Sequence, residues 1–139
     1  RNNIMKKLKV NDMANLIRAK AAIFAGTSIM MKKLVIPFVE VKHFYIGGAF
    51  GAHLDIEKAI AFGLLPDLPR EKFRFIGNSS LTGSREYLLS EEARDKGEAI
   101  AKMMTSFELS VEPGYMDEYM SALFLQHTDM GLFPSLKSK

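Results

Sequence analysis

The residues of this 139-residue chain best placed to do chemistry are two that have no side chain. Gly47 and Gly48 follow Phe44-Tyr45-Ile46, and the run continues through Ala49-Phe50-Gly51 toward a helix opening near Asp55. Apolar residues with strand preference that end in paired glycines let the chain take positive φ and let another group approach bare backbone. Backbone N–H groups and the positive end of a following helix favour anions, and the missing side chains leave a floor for a base or sugar. A strand, a glycine turn and a helix therefore point toward nucleotide contact, although the same residues also make an ordinary tight turn. Phe50 could stack on a base or pack on a neighbouring helix. Asn78, just after a second strand, could hydrogen-bond a ligand or shape a turn.

Other chemistries find little support. His43, His53 and His127 are scattered, with no pair at ligand spacing, so no metal site is expected. There is no Gly-x-Ser-x-Gly elbow, and zero cysteines exclude a thiol nucleophile, a disulfide and any cysteine-ligated iron-sulfur or zinc centre in this chain. Glu57 with Lys58, and Glu91, Glu92, Asp95 and Lys96, read as solvated helix faces, and no catalytic residue is assigned. The net charge is +3, and the basic residues gather at Arg1, Lys6, Lys7 and Lys9, at Lys32-Lys33 and at Lys137 and Lys139. They mark ends and helix edges rather than a stripe, which argues against nucleic acid. No apolar run reaches the roughly 20 residues that span a bilayer, so the expectation is a cytoplasmic protein without a membrane partner. The chain opens on Arg1 rather than Met, as a piece of a longer protein would.

These residues need elements to hold them. With 47% hydrophobic residues, a single α/β domain is expected over 1–139, with an irregular tail at 126–139. A helix capped at Asn11 or Asp12 runs to about Lys33. Its apolar positions recur at helical spacing, Ala21, Ala22, Ala25 and Gly26 form a small-residue surface, and Lys20 projects from the apolar stripe. A lysine there must reach the surface, pair with a carboxylate or meet an anionic ligand. After Pro37 a strand is expected over Val39 to Ile46, a helix capped by Asp55 over Ile56 to Phe62 and stopped by Gly63, and a strand over Lys72 to Ile76. Helices follow from Ser79 or Ser80 to Leu89 and, after Ser90, from Glu91 to about Met104. A third strand is expected over Ser106 to Val111. The last helix starts at Pro113 and buries Tyr115, Met116, Tyr119, Met120 and Leu123. Strands separated by helices favour a parallel sheet.

Several separated motifs, in order, resemble one family. Gly47-Gly48-Ala49-Phe50-Gly51 leads into Leu54-Asp55-Ile56-Glu57-Lys58-Ala59-Ile60 and Gly63-Leu64-Leu65-Pro66-Asp67-Leu68-Pro69. Then come Ile76-Gly77-Asn78-Ser79-Ser80-Leu81-Thr82-Gly83 and Leu88-Leu89-Ser90, with Ala19-Lys20-Ala21-Ala22-Ile23 upstream and Ser121-Ala122-Leu123-Phe124-Leu125 downstream. Together they resemble the C-terminal part of the reductive activators of corrinoid proteins, which are similar to the actin, sugar-kinase and heat-shock-chaperone ATPases. The resemblance implies part of a ribonuclease-H-like lobe, with a short mixed or parallel sheet packed by helices, forming one side of a nucleotide cleft. It places the adenosine motif at Gly47-Gly48 and implies a nucleotide contact from Lys20; Phe50, Gly51 and Asn78 stand beside them as candidate cofactor-binding residues. The phosphate hairpins of that superfamily have no counterpart here.

By the same resemblance the parent returns an oxidised Co(II) corrinoid methyl carrier of one-carbon metabolism to Co(I), using ATP or ADP with magnesium and an iron-sulfur cluster on an N-terminal domain. None of these is held by this chain alone, and the fragment by itself is expected to be inactive. Partners would be a corrinoid protein and the remaining lobe of the parent, with a homodimer left open. The alternatives are a non-catalytic interaction module that binds a corrinoid protein or self-associates, and a lobe of another sugar-kinase-like ATPase. The chain departs from the family pattern at Ser84, where a small apolar residue is expected, and at Gln126, where proline is expected. It departs again over Leu34 to Lys42, where Glu40 is the only acid and no glycine occurs.

Overall fold

The structure, a computed structural model, describes residues 10–136. The basic residues at Arg1, Lys6, Lys7, Lys9, Lys137 and Lys139 lie outside that range. The chain divides into two compact units: Arg1–Val41, Asp55–Pro69 and Leu109–Lys139 form the first, Lys42–Leu54 and Arg70–Glu108 the second.

The first unit is helical. Helix α1, Val10–Lys33, carries Asp12 in its first turn and Lys32 and Lys33 in its last, each complementing the helix dipole. Ala21, Phe24, Ala25 and Ile29 are buried at the i, i+3, i+4, i+8 spacing of one helical face. The small-residue surface is half realised: Ala21 and Ala25 are buried, Gly26 lies against the Leu109 side chain and Ala22 is exposed. Helix α1 ends in a Schellman turn, with Val35 N–H donating to Lys32 O and Ile36 N–H to Met31 O. Val35 holds the left-handed position at φ 57°, where glycine is the usual occupant. That is the physical content of a glycine-free Leu34 to Lys42.

Helix α3, Ile56–Phe62, is capped as expected: the Asp55 side chain accepts from Lys58 N–H, and Gly63 stops the helix at φ 78°. Helix α6, Tyr115–Ala122, packs along α1. It begins two residues beyond Pro113, because Pro113-Gly114 turns first, with Tyr115 N–H bonded to Glu112 O and Gly114 at φ 81°. Its buried residues are Glu118 and Ala122, not the expected aromatic and methionine face, and Met116 and Met120 are exposed. The stretch from Gln126 contains two 3-10 turns, Met130–Leu132 and Pro134–Leu136. Between them Phe133 is fully buried and stacks on Phe24 at 5.5 Å between ring centres.

The second unit is built on two parallel strands, β1 (Phe44–Gly47) and β2 (Phe73–Gly77), paired Phe44 to Phe73, Tyr45 to Arg74, Ile46 to Phe75 and Gly47 to Gly77. Strand β1 is shorter than expected, since Pro37 introduces a 3-10 turn at Phe38–Glu40 rather than extended chain. A five-residue helix α2, Gly48–Ala52, follows β1 directly. Helix α4, Ser79–Leu89, is capped by Asn78, and α5, Glu91–Met103, by Ser90. The third strand expected over Ser106 to Val111 does not form: the segment joins no ladder, and Glu112 N–H closes a turn onto Leu109 O.

Candidate functional site

The parallel pairing brings the ends of β1 and β2 together at Gly47 and Gly77. Open α/β sheets take ligands beyond the C-terminal ends of parallel strands, and these two strands both end in glycine. Gly48 lies at φ 86° and Gly77 at φ 61°, and a Cβ built on either meets no atom within 4 Å. Both bends are thus positions where L side chains are strained and where the space over the backbone is open. At Gly47 a Cβ would come within 3.0 Å of the Ser79 hydroxyl oxygen, so the first residue of α4 sets one wall of the ledge. Gly77 is a site residue that the sequence alone does not reveal. Its signal is the Gly77-Asn78 pair after a strand, a pattern that equally makes an ordinary turn.

The other expected site residues divide. Gly51 is buried within α2, where a Cβ would sit 2.8 Å from the Ile46 side chain, so its smallness lets α2 close onto β1. Asn78 uses its side-chain oxygen to cap α4, accepting from Leu81 N–H at 3.0 Å. The backbone of Phe50 belongs to α2, and its side chain lies outside the described residues. All of these belong to the second unit.

Lys20 belongs to the first unit, and its surroundings are specific. The side chain is 0% exposed, and its Nζ donates to Phe124 O at 2.6 Å and Gln126 O at 2.7 Å. The Phe62 ring lies 5.8 Å from the ammonium. Burial pushes the amine down to about 8, while hydrogen bonds to two carbonyls favour its charged form. The ammonium is engaged by the chain's own backbone, and the carbonyls it clamps lie just beyond α6. Gln126 takes φ 63°, which a proline ring cannot adopt, so the residue found here suits the turn it makes. Its backbone also lies over Gly63, where a Cβ would fall 2.4 Å from Gln126 O.

Near this clip a second polar group is buried. Glu118 Oε2 accepts from Lys32 Nζ at 2.6 Å, and Glu118 Oε1 faces His127 Nε2 at 3.7 Å. Burial acts to raise the Glu118 carboxyl, but hydrogen bonds from Lys32 and Ser28 and the charges of Lys32 and His127 leave it below its ordinary value. Among the described residues no group of three metal-ligating side chains comes together, and no helix is long and apolar enough to cross a membrane.

Comparison with known proteins identifies the family. Residues 2–137 match a family described as the C-terminal domain of RACo, the ASKHA domain, and the chain belongs to that family. It is 36% identical over 102 residues to the corrinoid activation enzyme RamQ of Eubacterium limosum, covering 73% of this chain and 17% of that protein. It is 32% identical over 92 residues to the [Co(II) methylated amine-specific corrinoid protein] reductase of Methanosarcina barkeri, covering 66% of this chain and 17% of the relative. A solved structure of a reductive activator for corrinoid, iron-sulfur protein aligns at TM-score 0.84 and 50% identity, over 90% of this chain and 20% of that one. The chain therefore spans about one fifth of its relatives, and its fold is an α/β portion of an actin-like ATPase lobe.

Proposed function

We propose that this chain is the C-terminal nucleotide-binding lobe of an ATP-dependent reductive activator that returns a Co(II) corrinoid protein to Co(I). The observation that carries the reading is the open glycine ledge: a left-handed Gly48 with free space over its backbone, beside Gly77 at the same end of the neighbouring strand. An adenosine group fits such a ledge, because base and ribose can lie on backbone where a side chain would intrude. Gly47, Gly48 and Gly77 would form its floor, with Ser79 and the start of α4 at its margin. Lys20 is left out of the site, since its ammonium is committed to Phe124 and Gln126.

The chain has no cysteine to hold an iron-sulfur cluster. Phosphate and magnesium contacts would come from the remaining lobe of the parent, a cytoplasmic protein whose partner is a corrinoid protein. Nucleotide would act by binding more tightly to one arrangement of the lobes than to another, with that difference coupled to partner docking. Mixing the reduced intact protein with a Co(II) corrinoid protein and following Co(I) by its absorption tests this reading. Co(I) should accumulate only when ATP is present; formation at the same rate without nucleotide would contradict it.

A further inference from the structure

His127 is nearly fully buried; its Nδ1 is hydrogen-bonded, and its Nε2 faces a carboxylate oxygen without bonding it. Nδ1 accepts from the Asp129 backbone N–H at 3.0 Å, so that nitrogen carries no proton. The neutral ring must then hold its hydrogen on Nε2, which points at Glu118 Oε1 3.7 Å away. Both atoms are buried without another hydrogen-bond partner, so a small closure joins donor to acceptor across a gap that would otherwise leave two polar groups unsatisfied. The ring is held from the side by Phe24, at 5.4 Å between centres. The same turn carries the Gln126 carbonyl that Lys20 clamps, and Thr128 N–H ties it to Ser121 O on α6.

We infer that His127 is a proton-operated latch: neutral and protonated on Nε2 it fastens the turn Gln126–Asp129 onto α6, and a second proton, landing on Nδ1, releases it. On protonation two donors, Nδ1–H and Asp129 N–H, face each other at a distance set for one donor and one acceptor, and the turn has to open. Opening withdraws the Gln126 carbonyl from Lys20. The charged groups around the ring set the balance. Burial holds the imidazole below its ordinary value, Glu118 and Asp129 pull it up, and Lys20 and Lys32 on α1 push it down. Glu118 Oε2 is engaged by Lys32 and Asp129 Oδ1 by Gly131 N–H at 2.8 Å, while the unbonded Glu118 Oε1 lies on the Nε2 side of the ring, where it favours the imidazolium but cannot accept the proton that lands on Nδ1.

The sign follows from the direction of the shift. A histidine depressed in the folded state contributes stability above its unfolded value and loses it as pH falls through its folded one. The test is made on the intact protein by mass spectrometry. Exchange of the His127 C2 hydrogen reports its protonation, and amide exchange over 126–129, corrected for the intrinsic effect of pH, reports the turn. The turn should exchange at least tenfold faster once His127 is protonated, with one shared midpoint. In His127→Asn, which keeps an acceptor near the Nδ1 position and does not titrate, the acceleration should vanish. In Glu118→Gln both midpoints should move to lower pH together. Turn exchange that stays flat while His127 titrates, that persists in His127→Asn, or whose midpoint stays put while that of His127 moves would overturn the latch.

Discussion

The two units differ in what they keep for themselves. The first buries Phe24, Ile29, Ile60, Leu65, Leu68 and Phe133 and satisfies an interior lysine with its own carbonyls. The second buries one large apolar residue, Phe73, among those described, and no residue of α4 or α5 is buried. Leu88 is 77% exposed and Met104 75%. Parallel sheets normally have both faces covered, whereas this two-stranded one leaves Tyr45, Phe75 and Ile76 exposed. The same contrast holds at the glycines. Gly63 in the first unit is covered by the Gln126 backbone, whereas Gly48 and Gly77 in the second open onto empty space. One left-handed glycine closes a fold and the others offer a surface.

That contrast can be broken in order of effect. Gly63→Ala should cost most, about 4 kcal/mol, because it combines positive φ with a clash against rigid backbone; a urea titration reads it. A loss under about 1 kcal/mol would mean that Gln126 is not fixed over Gly63. Lys20→Met keeps length and removes the donors, so two buried carbonyls lose their partners and stability should fall by about 2–3 kcal/mol. Nucleotide affinity of the intact protein should stay within about twofold. Unchanged stability with lost affinity would instead return Lys20 to the ligand site. Val35→Gly should act in the opposite sense. Val35 is 86% exposed and strained at φ 57°, so glycine relieves strain with little packing lost and raises stability by about 1 kcal/mol. No gain would show that the Val35 side chain makes a compensating contact.

Much of this was legible where local chemistry decides. Asp55 and Gly63 bound α3, Ser90 opens α5 and the strands pair in parallel because caps, stops and crossovers are written in short residue patterns. The failures lie where a distant partner decides. Nothing near Ser106 reveals that its segment joins neither strand of the sheet, and nothing near Glu118 reveals that Lys32, 86 positions earlier, pairs with it. Lys20 was legible as anomalous, since a lysine on an apolar stripe needs an answer. Which answer it finds depends on carbonyls 104 and 106 positions later. Gly77 escaped because its importance comes from lying beside Gly47 in the register of the sheet.

The central claim is that the open bend at Gly48 faces adenosine. It is tested most directly by calorimetric titration of ATP into the intact protein carrying Gly48→Ala or Gly114→Ala. Both glycines have similar positive φ, 86° and 81°, and in neither does an added Cβ meet an atom closer than 3.9 Å, so the two variants carry matched backbone strain. Gly48→Ala should weaken ATP binding at least tenfold while Gly114→Ala leaves it within twofold. Equal affinity in both variants would contradict the account.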